Sequence, residues 1–93
     1  HAIDEELMNE VKEVIYTVVK PEEVKLIHSR IFSEKFYLDI YLLLDSSLSL
    51  AASDEIADQI KAALFDKFDN TKNAYVIIEP DDEKHRHQIE GGF

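Results

Sequence analysis

Phe36-Tyr37-Leu38-Asp39-Ile40-Tyr41-Leu42-Leu43-Leu44 is the stretch on which the fold turns. Phe36, Leu38, Ile40, Leu42 and Leu44 occupy alternate positions. A strand sends alternate side chains to opposite faces, so these five make one continuous apolar face. Between them stand Tyr37, Asp39, Tyr41 and Leu43, a set that could meet water or a partner. No other segment is as apolar over as many residues. The stretch reads as the central strand of a sheet with helices on its aliphatic face. Function is to be sought on the other face.

Upstream, Val24 to Phe32 reads as a first strand whose two parities are both mixed, as suits an edge. Ser33-Glu34-Lys35 is a short polar link, so this strand and the central one are expected to pair as an antiparallel hairpin. That link places Lys25, Ile27, Ser29 and Ile31 on the uncovered side and His28 on the inner side. No glycine marks the turn. Further upstream, Ile3, Leu7, Val11, Val14, Ile15 and Val18 recur at helical spacing, predicting a helix over 4–19 with Asp4 as its N-cap. Pro21 stops it. The β-branched run Thr17, Val18, Val19 weakens its last turn.

Downstream, Ser49 or Ser53 caps a second helix, in which Ile56, Ile60, Ala63, Leu64 and Phe68 recur at steps of three and four. Residues 69–73 read as loop. Ala-Tyr-Val-Ile-Ile-Glu (74–79) is a short third strand ended by Pro80. A strand, a helix and a strand in one sheet should run parallel, which puts the central strand in the middle. The expected fold is α+β, an α-β-β-α-β open sandwich of ferredoxin-like (metallochaperone-like) type. Two helices lie on one face of a three-stranded mixed sheet. Residues 1–80 form the single domain and 81–93 a polar tail. On the uncovered face Tyr37, Tyr41, Leu43, Tyr75 and Ile77 make an aromatic and aliphatic patch. Such a patch on a small domain points to self-association.

Composition agrees with one folded domain. The chain has 93 residues, of which 45% are hydrophobic, enough for a single core. Cysteine is absent, which excludes disulfides, thiolate metal sites and cysteine nucleophiles and fits a reducing compartment. Twenty acidic residues against ten basic ones give a net charge of −10. Phosphate backbones would be repelled, so nucleic acid is not an expected partner, and cations are the natural counter-charge. No apolar run approaches the ~20 residues of a membrane helix. The acidic opening does not read as a signal peptide.

The sequence resembles the C-terminal cytoplasmic domain of the cation diffusion facilitator family, membrane transporters that export Zn²⁺ and similar ions. The resemblance covers roughly 4–80. It rests on Tyr-Leu-Asp-Ile-Tyr-Leu-Leu-Leu-Asp-Ser-Ser-Leu-Ser-Leu (37–50), Ile-Ala-Asp-Gln-Ile (56–60), Val-Ile-Ile-Glu-Pro (76–80) and Arg30. It implies a cytoplasmic domain of an integral inner or plasma membrane protein that dimerises beneath the membrane part of the same chain. It also implies divalent-cation binding, Zn²⁺ first, between the protomers, coupling cytosolic metal to transport. The chain departs from the family at that centre. Where many members carry histidine it has Lys25, Tyr41, Asp54 and Ile77, and the carboxylate before the proline remains as Glu79.

The metal-ligand candidates are therefore Asp54 and Glu79, with His85 and His87 of the tail, and the expectation is weak binding. Asp54 is also what a helix N-terminus favours, and Glu79 what a strand end exposes. His28 reads as a packed or half-exposed histidine. Nothing looks catalytic. There is no glycine-rich phosphate loop, the two glycines being adjacent in the tail, and no nucleophile context. An enzyme is not expected. The rival to a transporter domain is a stand-alone ferredoxin-like module that binds a small molecule or a metal.

Overall fold

The computed structural model describes residues 3–81. Asp4 starts the first helix, α1 (Glu5–Ile15), its Oδ1 accepting from the Leu7 N–H at 2.8 Å. Glu5 and Glu6 follow in the first turn, where the helix dipole favours carboxylates. The helix stops at Ile15 rather than running to 19. The Thr17 N–H turns to the Val14 carbonyl at 3.1 Å, and the Thr17 hydroxyl donates to the same oxygen at 2.6 Å. The β-branched run makes this local alternative competitive with another helical turn. A 3₁₀ turn (Pro21–Glu23) leads into β1 (Val24–Phe32), followed by β2 (Lys35–Asp45), α2 (Leu50–Lys67) and β3 (Thr71–Asp81).

Ser49 caps α2, its Oγ accepting from the Ala52 N–H at 3.1 Å. Ser53 sits inside the helix, its hydroxyl turned back to the Ser49 and Leu50 carbonyls. The sheet order is β1-β2-β3, with β1 antiparallel and β3 parallel to β2. This is the expected ferredoxin-like α+β layout.

Strand β3 is longer than the apolar run that announces it. It takes in Thr71–Asn73 and continues through Pro80 to Asp81. Proline lacks an N–H but is tolerated on an edge strand, where one row of backbone groups faces outward.

The core lies between the helices and one face of the sheet. Phe36, Leu38, Ile40, Leu42 and Leu44 are all buried, as their parity predicts, against Val11 and Ile15 of α1 and Ile60 and Leu64 of α2. Fully burying one such side chain contributes roughly 1.5–3 kcal/mol.

The hairpin turn corrects the assignment of β1. Phe32 pairs with Lys35, so the link is the two residues Ser33 and Glu34, with φ of 50° and 65°. Two left-handed residues are what a tight hairpin turn needs, because their twist matches that of the strands. Facing residues share a side of the sheet, so Ile27, Ser29 and Ile31, opposite Ile40, Leu38 and Phe36, lie on the helix-covered side. Ile27 and Ile31 pack against the core, and Ser29 Oγ accepts from the Ile3 N–H at 3.3 Å. His28, Arg30 and Phe32 take the uncovered side instead. A link one residue shorter than expected reverses every side chain of the strand. Only Lys25, and Val24 opposite Leu42 on the core side, keep their expected sides, because an irregularity between Val24 and Leu26 resets the register there.

Candidate functional site

The uncovered face of the sheet is built by alternation on three strands. β2 supplies Tyr37, Asp39, Tyr41 and Leu43. In register beside them β3 supplies Asn73, Tyr75, Ile77 and Glu79, while Arg30, His28 and Leu26 of β1 lie opposite Tyr37, Asp39 and Tyr41. All five residues expected to form an apolar patch (Tyr37, Tyr41, Leu43, Tyr75 and Ile77) are thus on one face. Tyr75 is 59% exposed, Leu26 45% and Phe32 71%.

Aromatic and charged side chains interlock across this face. The His28 and Tyr41 rings meet edge to face at 6.2 Å between centroids, and the Arg30 guanidinium lies 5.2 Å from the Tyr37 ring centre. A cation over an exposed ring contributes about 0.5–1 kcal/mol. The Asn73 amide donates to the Tyr75 hydroxyl at 3.0 Å. Lys25 Nζ of β1 reaches across the central strand to Glu79 Oε2 of β3 at 2.8 Å. Both side chains are partly exposed, so the pair contributes about 0.2–1 kcal/mol. Along the face the cations Lys25, Arg30 and Lys35 stand against the anions Asp39, Asp45, Glu79 and Asp81. The face is near neutral in a chain whose net charge is −10.

The metal-ligand candidates are not brought together within one chain. Asp54 lies on α2 in an open groove with Asp58, Lys61, Val76 and Ile78, on the helix-covered side. Glu79 is on the opposite side of β3 and engaged by Lys25. His85 and His87 fall outside the described residues. Among the described residues no three His, Asp or Glu side chains cluster as a metal-binding group. The divalent-ion centre that the family resemblance implies does not fit the donors at Lys25, Tyr41, Ile77 and Glu79. A protonated ammonium has no lone pair, isoleucine has no donor atom, and the carboxylate is already paired.

His28, Arg30 and Phe32 were not legible from the sequence as part of this face. The signal that would have placed them is the length of the turn, since a two-residue hairpin puts Phe32 beside Lys35.

No curated protein sequence matches this chain. Solved structures share its fold at low identity. A MamM CTD variant in a zinc form superposes with a TM-score of 0.73 at 19% identity, over 86% of this chain and 88% of that one. CzrB, studied as a candidate zinc transporter, gives 0.75 at 16% identity, over 85% and 98%. Other MamM CTD variants were solved in manganese, nickel and copper forms. No helix of the described residues is long and apolar enough to cross a membrane. Residues 3–81, the whole described span, match the family described as cation efflux protein, cytoplasmic domain, and the chain belongs to that family.

Proposed function

We propose that this chain is the cytoplasmic dimerisation and regulatory domain of a divalent-cation efflux transporter, with Zn²⁺ as the cargo to test first. Two copies associate through their uncovered sheet faces about a two-fold axis. The observation that carries this reading is the placement of Tyr37, Tyr41, Leu43, Tyr75 and Ile77 on one near-neutral face of an acidic chain. Like-charged molecules repel, and here the face spared that charge is also the aromatic one. Family membership supports a transporter over a stand-alone module.

The size of the face sets the strength. Three strands about 4.8 Å apart, each about ten residues at about 3.3 Å, give roughly 450 Å² per copy, the weak end for a stable pair. The membrane part of the same transporter then has a physical role: it holds two domains at an effective concentration that a weak contact can exploit.

Sedimentation equilibrium of the 93-residue chain over a wide concentration range tests the reading. A reversible monomer–dimer equilibrium is the expected result. A monomer at the highest soluble concentration overturns it.

A further inference from the structure

The Lys25–Glu79 pair is unusual in its reach. The two residues are 54 positions apart and sit on the two outer strands, so the contact bridges the whole width of the sheet. Adjacent strands lie about 4.8 Å apart, so the gap is roughly 10 Å at the backbone. An extended lysine and an extended glutamate together span that distance, and shorter side chains would not. The register irregularity between Val24 and Leu26 falls at Lys25 itself. A bulge re-aims a side chain, and here it leaves both Lys25 and Leu26 exposed.

Glu79 has Leu43 beside it on β2 and Ile77 two residues earlier on its own strand. If two such faces meet, the carboxylate enters an apolar contact, where an unpaired charge is costly. A counter-cation is needed at this point. A divalent ion could serve, and MamM CTD variants of this fold were solved in zinc, manganese, nickel and copper forms. Here a covalently attached ammonium is already in place.

We propose that Lys25 permanently fills the counter-cation position on Glu79, so that Glu79 is not a metal ligand and the uncovered face associates without a divalent ion. This rests on the reading of that face as the self-association surface. A metal-dependent contact would follow the free ion concentration, whereas one closed by an ammonium is made whenever the chain is folded. Any zinc response of the chain then arises elsewhere than at Glu79.

The test compares the full chain with Glu79→Gln, Lys25→His and the Lys25→His/Glu79→Gln double variant. Each is sedimented in chelator and in excess zinc, with zinc affinity measured in parallel by calorimetry. The expected result is that zinc alters association and affinity in the wild type and in Glu79→Gln to the same extent, within about twofold. Lys25→His removes the ammonium and leaves an imidazole too short to meet Glu79 directly, so that a zinc ion bound between the two would close the gap. This variant should gain about tenfold in zinc-dependent association, a gain the double variant loses. A zinc response that falls about tenfold in Glu79→Gln overturns the inference, as does a Lys25→His chain with no gain. A wild type that is monomeric with and without zinc overturns the dimer reading and metal-free association with it, whereas one that dimerises only with zinc overturns metal-free association while the dimer reading stands. The calorimetric comparison of wild type with Glu79→Gln then still decides whether Glu79 is a ligand.

Discussion

Phe32 pairs with Lys35 across a turn of only two residues, Ser33 and Glu34, and both of these hold positive φ. Neither is a glycine, and a left-handed residue with a Cβ costs roughly 1–2 kcal/mol. The Asn70 amide helps to hold the turn by donating to the Glu34 carbonyl at 3.0 Å. Replacing the pair by Asn-Gly should relieve the strain and raise stability by about 0.5–1 kcal/mol, after the added freedom of glycine in the unfolded chain is discounted. Urea unfolding of Ser33→Asn/Glu34→Gly measures it through a higher midpoint at unchanged slope. A lower midpoint would mean that the turn is not of the mirror-image type.

The same pairing predicts which changes β1 tolerates. Ile27 faces the helices opposite Ile40, and His28 faces outward beside Tyr41. Ile27→Asp places a carboxylate against the core and should destabilise by about 3 kcal/mol or more. His28→Asp loses only a ring contact and should stay within about 1 kcal/mol of the wild type. On β2 the contrast is sharper, because Ile40 is fully buried: Ile40→Asp should abolish cooperative unfolding while Tyr41→Asp leaves the fold intact. Thermal melts of the four variants decide. A β1 pair that behaves the other way round would restore the three-residue link.

How far the sequence alone reaches is visible in these two strands. β2 carries five aliphatic or aromatic residues at one parity, so its faces follow from the pattern, and those of β3 follow from its pairing with β2. β1 has apolar residues at both parities, Ile27 and Ile31 at one and Leu26 and Phe32 at the other, so its faces depend on a turn whose left-handed residues are Ser33 and Glu34. Serine and glutamate do not advertise that conformation as Asn-Gly would. The uncovered patch of β2 and β3 was therefore legible, and the contribution of β1 to it was not. The Lys25–Glu79 contact was illegible for another reason: it joins residues 54 apart through a local irregularity in register that no residue type announces.

Asp45 ends β2 and closes the next turn, accepting from the Ser47 N–H at 2.9 Å and from the Ser47 hydroxyl at 2.8 Å. These two bonds, the backbone one first, favour the ionised carboxylate and hold its pKa below the ordinary 3.8. A carboxylate depressed in the folded state adds stability that is present above its unfolded value. That stability is lost as pH falls through the folded one. Carbon-13 titration of the Asp45 carboxyl should find a midpoint below 3.8, and Ser47→Ala should move it back toward that value. An Asp45 that titrates at or above the ordinary value would mean the turn does not persist in solution.

The last prediction separates a specific contact from general stickiness. Tyr75 is 59% exposed on the uncovered face, and Phe65 is 44% exposed on α2 in the helical layer. Both are aromatic, and both lie outside the core. If copies associate through the sheet, Tyr75→Glu adds a charge to a near-neutral contact and removes an aromatic anchor. Loss of such an anchor costs on the order of 2 kcal/mol, or more than tenfold in the dimer constant. Phe65→Glu adds the same charge and removes a ring of similar size, yet should leave association within about threefold, because only the general repulsion of an already acidic chain increases. Circular dichroism melts of both variants establish that each is folded, and sedimentation equilibrium reads the constants. Equal weakening by the two would mean that net charge governs association. Weakening by Phe65→Glu alone would move the contact to the helical side and leave the aromatic face of the sheet for another partner.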